Sequence, residues 1–244
     1  MASFAVNQAT TFNQSELINF FYNALVGGSI VYLLAEILAL AGFDAFVPYD
    51  FGTTLVLYVA SFSAIYFLFI LTQKYVAGRL GFKAVYTPWI FGPIVGFGFS
   101  VMTYGLVPLL YLGTVSVRPV EKIRLGLARK AVNARELAFI ASSGILITLV
   151  FIVLILEPLY LLTGEGIFQI SIVSATALMF YSTLPLPKTN GAYIILYSRL
   201  LWVFLLLFTL ITFLFVAFVN LITYLLALLI TGLIIYTGLK YLDV

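Results

Sequence analysis

Long apolar runs separated by short polar loops organise this chain. The first run, Leu17 to Gly42, is long enough to cross a bilayer even when tilted, and it carries one acid, Glu36. Asp44 and Asp50 follow in a short loop with Pro48. A second run, Thr53 to Leu71, ends at Gln73 and Lys74, and a loop with Arg79 and Lys83 comes next. A fourth run, Leu137 to Leu156, ends at Glu157 and Pro158, which read as an interfacial stop. A fifth, Ile167 to Leu184, ends at Pro185-Leu186-Pro187-Lys188-Thr189-Asn190-Gly191. The stretch from Ala192 to Leu239 is too long for one span and divides near Asn220.

The third run, Thr87 to Gly113, has a different character. Pro88, Pro93 and Pro108 interrupt it, with Gly92, Gly96, Gly98 and Gly105 between them. An interior Gly costs a helix about 1 kcal/mol and a Pro about 3, so a straight helix here is expensive. Both flanks are basic: Lys74, Arg79 and Lys83 before it, and Arg118, Lys122, Arg124, Arg129, Lys130 and Arg135 after it. Basic loops stay cytoplasmic, so the run enters and leaves on one side. It reads as a re-entrant or strand-like hairpin, which survives at membrane depth only when covered by protein.

The expected architecture is an all-α polytopic membrane protein. It has about six transmembrane helices, both termini cytoplasmic, and the hairpin after the second span. The segments are a polar N-terminus (1–16), a first span with its outer loop (17–52), a membrane core (53–200) and a C-terminal span pair (201–244). Acid-only loops fall on one side, and the basic loops 74–86 and 114–136 fall on the other, the cytoplasmic one. No internal or inverted repeat is evident, which counts against a common transporter plan.

Composition then narrows the chemistry. Hydrophobic residues make up 64% of the chain and charged residues 9%, against about 25% charged in an average soluble domain. There is no His and no Cys. Their absence removes imidazole bases, His-based zinc sites, Ser-His-Asp triads, thiolate nucleophiles and disulfides. A Ser–Lys pair has little to draw on, because Lys74, Lys83, Lys122, Lys130, Lys188 and Lys240 are all expected in loops or at membrane edges. The net charge of +3 is a topology signal and not a nucleic-acid surface.

Three stretches carry a resemblance. They are Gln73 to Phe82, Asn133 to Gly144, and Leu184 to Leu196. In order and spacing they resemble the site-2 protease family of intramembrane zinc metalloproteases, particularly archaeal-type members. That family has H-E-x-x-H followed by x-x-x-A-x-x-x-G; Ala77 and Gly81 fit the Ala and Gly, which places the motif on Phe69-Ile70-Leu71-Thr72-Gln73. The family's A-G-P-x-x-N reads Ser143-Gly144-Ile145-Leu146-Ile147-Thr148, keeping only the Gly. Its L-P-x-P-x-x-D-G falls on Leu184 to Gly191, with Asn190 where the third zinc ligand stands. Taken singly, each piece has a plainer reading: small residues at a helix exit, or a helix stop and turn.

The resemblance implies zinc on two His and an Asp, with a Glu to take the water proton. Phe69, Ile70, Gln73 and Asn190 hold those four positions instead. Phe and Ile cannot bind zinc, and Gln and Asn are weak neutral donors. The expected protein is therefore a pseudoprotease: no enzyme, no cofactor, no metal. Without a metal, an ionisable group inside a span costs about 2.5–3.5 kcal/mol, which the apolar replacements avoid. The resemblance further implies a groove for an extended segment near Ile90, Gly92, Pro93, Gly96, Gly98, Pro185, Pro187 and Gly191. The expected partners are membrane lipid and a membrane protein or larger membrane complex, in the plasma membrane of a prokaryote. The basic loops can attract anionic headgroups at about 1 kcal/mol per cation. The alternative is a small-molecule or ion transporter using Glu36 and the broken segment 87–113, although Glu36 lies close enough to Gly42 to sit at the outer interface.

Overall fold

A computed structural model describes residues 10–41, 50–89, 91–110, 112–119, 132–214 and 221–241. The protein is mostly helical. Four helices are long and apolar enough to cross a membrane. They are α1 (Gln14–Leu40), α2 (Phe51–Arg79), the continuous helix Ala134–Thr163, and α6 (Gly166–Thr183). The third of these comprises α4 (Ala134–Phe151), a π-helical turn (Ile152–Leu156) and α5 (Glu157–Thr163).

The expected fifth and sixth spans are not among the four. The C-terminal stretch forms α7 (Asn190–Tyr197), α8 (Arg199–Leu214) and α9 (Leu221–Tyr241). Extended backbone at Ser198 separates α7 from α8, leaving α8 only 16 residues. That length falls short of the ~20 residues a spanning helix needs. The apolar stretch of α9 with described side chains runs from Tyr224 to Ile234. α8 packs on α6 and α7, so the boundary expected at 200/201 cuts through a helix of the core.

Local chemistry explains where the helices begin and end. Asn13 caps α1, and Glu16 returns a carboxylate oxygen to the Asn13 amide in a capping box. The helix therefore starts ahead of the apolar run. α2 continues past Leu71 and takes Gln73, Lys74 and Arg79 into its last turns. Glu157-Pro158 does not stop the fourth run. Pro158 has no amide to donate, and the preceding turn widens so that the Glu157 amide reaches the Ile152 carbonyl. The helix then goes on to Thr163, and Glu157 is buried within the helix pack.

The breaker-rich segment lies between two strands. β1 (Phe82–Thr87) pairs antiparallel with β2 (Thr114–Pro119), with Phe82 opposite Pro119 and Thr87 opposite Thr114. The chain therefore leaves and returns at the same end of the sheet. The excursion contains a 12-residue helix, α3 (Phe91–Met102), within the segment expected to form a re-entrant or strand-like hairpin. The breakers permit it by position. Pro88 precedes it, Pro93 falls in its first turn where no amide donor is needed, and Gly105 and Pro108 follow it. α3 packs against α1.

α2 is the hub, touching α1, α4, α6 and β1. Its buried residues Tyr58, Phe62, Tyr66, Phe69, Gln73 and Ala77 recur at three- and four-residue steps, forming one inward stripe.

Candidate functional site

That stripe sets Phe69 and Gln73 one turn apart on the same face. Gly144 of α4 lies directly over both. A Cβ at Gly144 would stand 3.0 Å from the Phe69 ring and 2.8 Å from Gln73 Nε2, so only glycine fits without displacement. Gln73 Nε2 donates to the Ala141 carbonyl at 3.3 Å. The amide thereby satisfies a carbonyl of α4 inside the helix pack, which a hydrocarbon side chain could not do.

On its other side, Phe69 lines a small cavity of about 20 Å³ with Tyr66, Leu112, Tyr181, Thr189 and Asn190. That volume holds one water molecule. Asn190 is the first residue of α7, and its Oδ1 accepts a 2.7 Å hydrogen bond from the Thr114 hydroxyl on β2. Gly191 follows, and a Cβ there would come within 2.5 Å of the Leu184 carbonyl. The turn after α6 and the start of α7 thus touch through bare backbone. Thr189 closes this turn by donating to the Leu186 carbonyl at 2.7 Å.

Phe69 and Asn190 therefore share one cavity, while Gln73 packs with Gly144 on the other side of the Phe69 ring. Ile70 is buried on the same helix but does not line the cavity. Of the expected groove residues, Gly92, Pro93 and Gly96 are buried and Gly98 is exposed on α3, while Ile90 lies outside the described residues. None of these α3 residues lines the cavity; Leu110, Leu112 and Gly113, just ahead of β2, supply that wall. α3 leans on α1 and carries its breakers there. Pro185 and Pro187 are exposed and Gly191 is buried.

The donor set does not fit a zinc ion. Phe69 offers a ring, the Gln73 amide is engaged with Ala141, and Asn190 Oδ1 already receives the Thr114 proton.

Sequence reasoning missed a buried ion pair next to this point. Lys74 was expected at the membrane edge, yet it is fully buried, with Nζ 3.0 Å from Glu16 Oε1. It also donates to the Thr11 carbonyl at 2.9 Å and sits 3.9 Å above the centroid of the Phe12 ring. Glu16 Oε1 accepts the Tyr86 backbone amide at 2.6 Å. The acid and base lie 58 residues apart, so no local pattern joins them. The Tyr86 hydroxyl takes a 2.8 Å hydrogen bond from Tyr66 and donates to the Leu112 carbonyl. Burial raises the Tyr86 phenol far above the ordinary tyrosine range, and the bond from Tyr66 offsets part of that.

The Tyr86 contact also fixes which way the strand edges face. In an antiparallel pair, residues alternate between exchanging hydrogen bonds and pointing their backbone groups outward. The Tyr86 amide points to Glu16, away from β2. Its partner Val115, and Val117 two residues on, must then direct their amides and carbonyls to the far side of β2. Glu16 closes the β1 edge. The outward groups of Val115 and Val117 meet no partner among the described residues.

Glu36, the alternative functional acid, accepts a hydrogen bond from the Tyr32 hydroxyl one turn back on its own helix. Glu157 is only 1% exposed, and neither carboxyl oxygen has a hydrogen-bond partner among the described residues.

Against protein-family models, curated proteins and solved structures, the chain gives no match in any of the three comparisons.

Proposed function

We propose that this chain is a non-catalytic, site-2 protease-like membrane protein that holds an extended segment of a membrane-protein partner, as an assembly, retention or regulatory subunit. The observation that carries the reading is the meeting of Phe69 and Asn190 on one cavity, with Gln73 and Gly144 packed behind. These are the positions that the resemblance assigns to ligands and frame. Their replacements are apolar or neutral, so the point is packed where an active member would be reactive.

The second element of the reading is the outer edge of β2. Of its two residues with outward amides and carbonyls, Val115 is buried and Val117 is half-buried, so Val117 is the accessible one; Thr114 ties its first residue to Asn190. An added strand would find a template for main-chain hydrogen bonds next to the former reactive point. The same segment on β1 is closed by Glu16, so the partner has one edge to use. The basic segments 74–86 and 114–136 face the cytoplasm in this reading, and the membrane is the plasma membrane of a prokaryote.

Hydrogen exchange tests the proposal at residue level. The chain is purified alone and again in mild detergent with whatever co-elutes. Exchange at the Val117 amide slows in the complex on this reading. Equal exchange in both samples removes strand addition as the mode of binding.

A further inference from the structure

A second concavity lies at the end of the helix pack where α2 finishes, α4 begins and α7 meets α8. It encloses about 580 Å³, within the ~300–1,000 Å³ of small-ligand sites. One wall is apolar, formed by Leu80, Ala138, Phe139 and Leu201. The mouth is polar, with Asn133, Arg135, Ser142 and Tyr197. Glu136 also lines it, but its carboxylate takes the Asn133 amide at 3.3 Å in the α4 capping box.

One cation, Arg135, lines the crevice with Glu136, and two more arginines adjoin its lining residues along the chain. Arg79 immediately precedes Leu80, and Arg199 falls between Tyr197 and Leu201. All three arginines are exposed, and none pairs with an acid among the described residues. Beside them, Leu196 is 73% exposed and Leu200 51%. They carry the apolar wall outward along α7 and α8.

We propose that this crevice binds one anionic phospholipid. The arginines receive the phosphate, for which a guanidinium offers paired donors. An acyl chain lies along Phe139, Leu201 and the exposed Leu196 and Leu200. A soluble anion would use the cations and leave the apolar wall wet, so the wall and the rim together select a lipid. The position suits it, because the crevice lies where two helices long and apolar enough to span come together, at the α2 end and the α4 start. This inference stands apart from the strand-edge reading, and either can fail without the other.

The test follows the thermal unfolding midpoint of the whole chain in phosphatidylcholine bilayers titrated with phosphatidylglycerol. Inorganic phosphate and added phosphatidylcholine are the comparison arms. Phosphatidylglycerol raises the midpoint saturably, and the two comparison arms do not. Arg135→Gln and Arg199→Gln each weaken the apparent affinity about five-fold, the equivalent of one cation near an anionic headgroup. Lys83→Gln, an exposed cation on β1 away from the crevice, leaves the affinity unchanged. Circular dichroism before the titration checks that each variant is folded, and lipid mass spectrometry of the purified chain gives a second readout. An equal shift with inorganic phosphate, or an equal loss in Lys83→Gln, overturns the proposal. So does co-purified lipid with no anionic enrichment.

Discussion

Thr114 on β2 donates a 2.7 Å hydrogen bond to Oδ1 of Asn190, the first residue of α7. Both side chains are buried. This single bond fastens the strand pair to the turn that resembles the third-ligand motif, and it joins the two halves of the proposed binding region. Removing the donor strands a buried amide oxygen. Thr114→Val is expected to lower stability by about 1–3 kcal/mol in chemical unfolding. In Asn190→Leu the same change is expected to cost clearly less, because the oxygen is already gone.

Gly144 provides a test of the packed point itself. Gly144→Ala puts a methyl against the Phe69 ring and the Gln73 amide, and such overpacking costs about 1–3 kcal/mol. Phe69→Leu opens space at the same place. A double-mutant cycle is expected to show favourable coupling of at least ~0.5 kcal/mol between the two changes. Strict additivity would mean that the residues do not meet.

The Glu16–Lys74 pair has an asymmetric signature. Removing one partner leaves a buried charge unpaired, at about 3–5 kcal/mol. Glu16→Leu or Lys74→Met alone should therefore destabilise severely, while the pair changed together should recover much of the loss. Glu16 also holds the Tyr86 amide and the Asn13 amide, so recovery stays incomplete. Equal losses in the single and double variants, measured by unfolding midpoint, would contradict the pairing.

Glu157 predicts the opposite sign. Its carboxyl is buried with no partner among the described residues, and nothing compensates its desolvation. Glu157→Leu should stabilise the chain by about 1–3 kcal/mol in the same measurement. A destabilised variant would show that the carboxyl is held by a group of this chain or of its surroundings.

These residues also show what was legible in the chain of letters. The first four spans follow from apolar runs, because hydrocarbon burial needs no partner to be recognised. The C-terminal runs were legible only as apolar, since apolarity persists through the extended backbone at Ser198 that divides α7 from α8. Pro158 was read as a stop because a proline denies one amide, yet a single wide turn absorbs it. Lys74 looked like an edge cation, and its partner Glu16 lies on another helix. Phe69 and Asn190 were singled out by the resemblance alone. Their meeting depends on how α2, α4 and α7 pack, which no local pattern encodes. The small cavity beside Phe69 is walled in part by Leu110, Leu112 and Gly113, ahead of β2, which apolar patterning does not single out.

The central claim is that β2 receives a partner's extended segment beside a point that no longer does chemistry. Val117→Pro tests it most directly. The Val117 amide faces outward, so proline there removes a docking donor and leaves the β1–β2 ladder whole. Ser116→Pro serves as the comparison, since the Ser116 amide faces β1 and its loss breaks the ladder. The native chain, purified in mild detergent, is expected to carry a membrane-protein partner in fixed stoichiometry. Val117→Pro should lose that partner while keeping the native unfolding midpoint. A native chain that elutes alone, or a partner retained in full by Val117→Pro, would contradict the account.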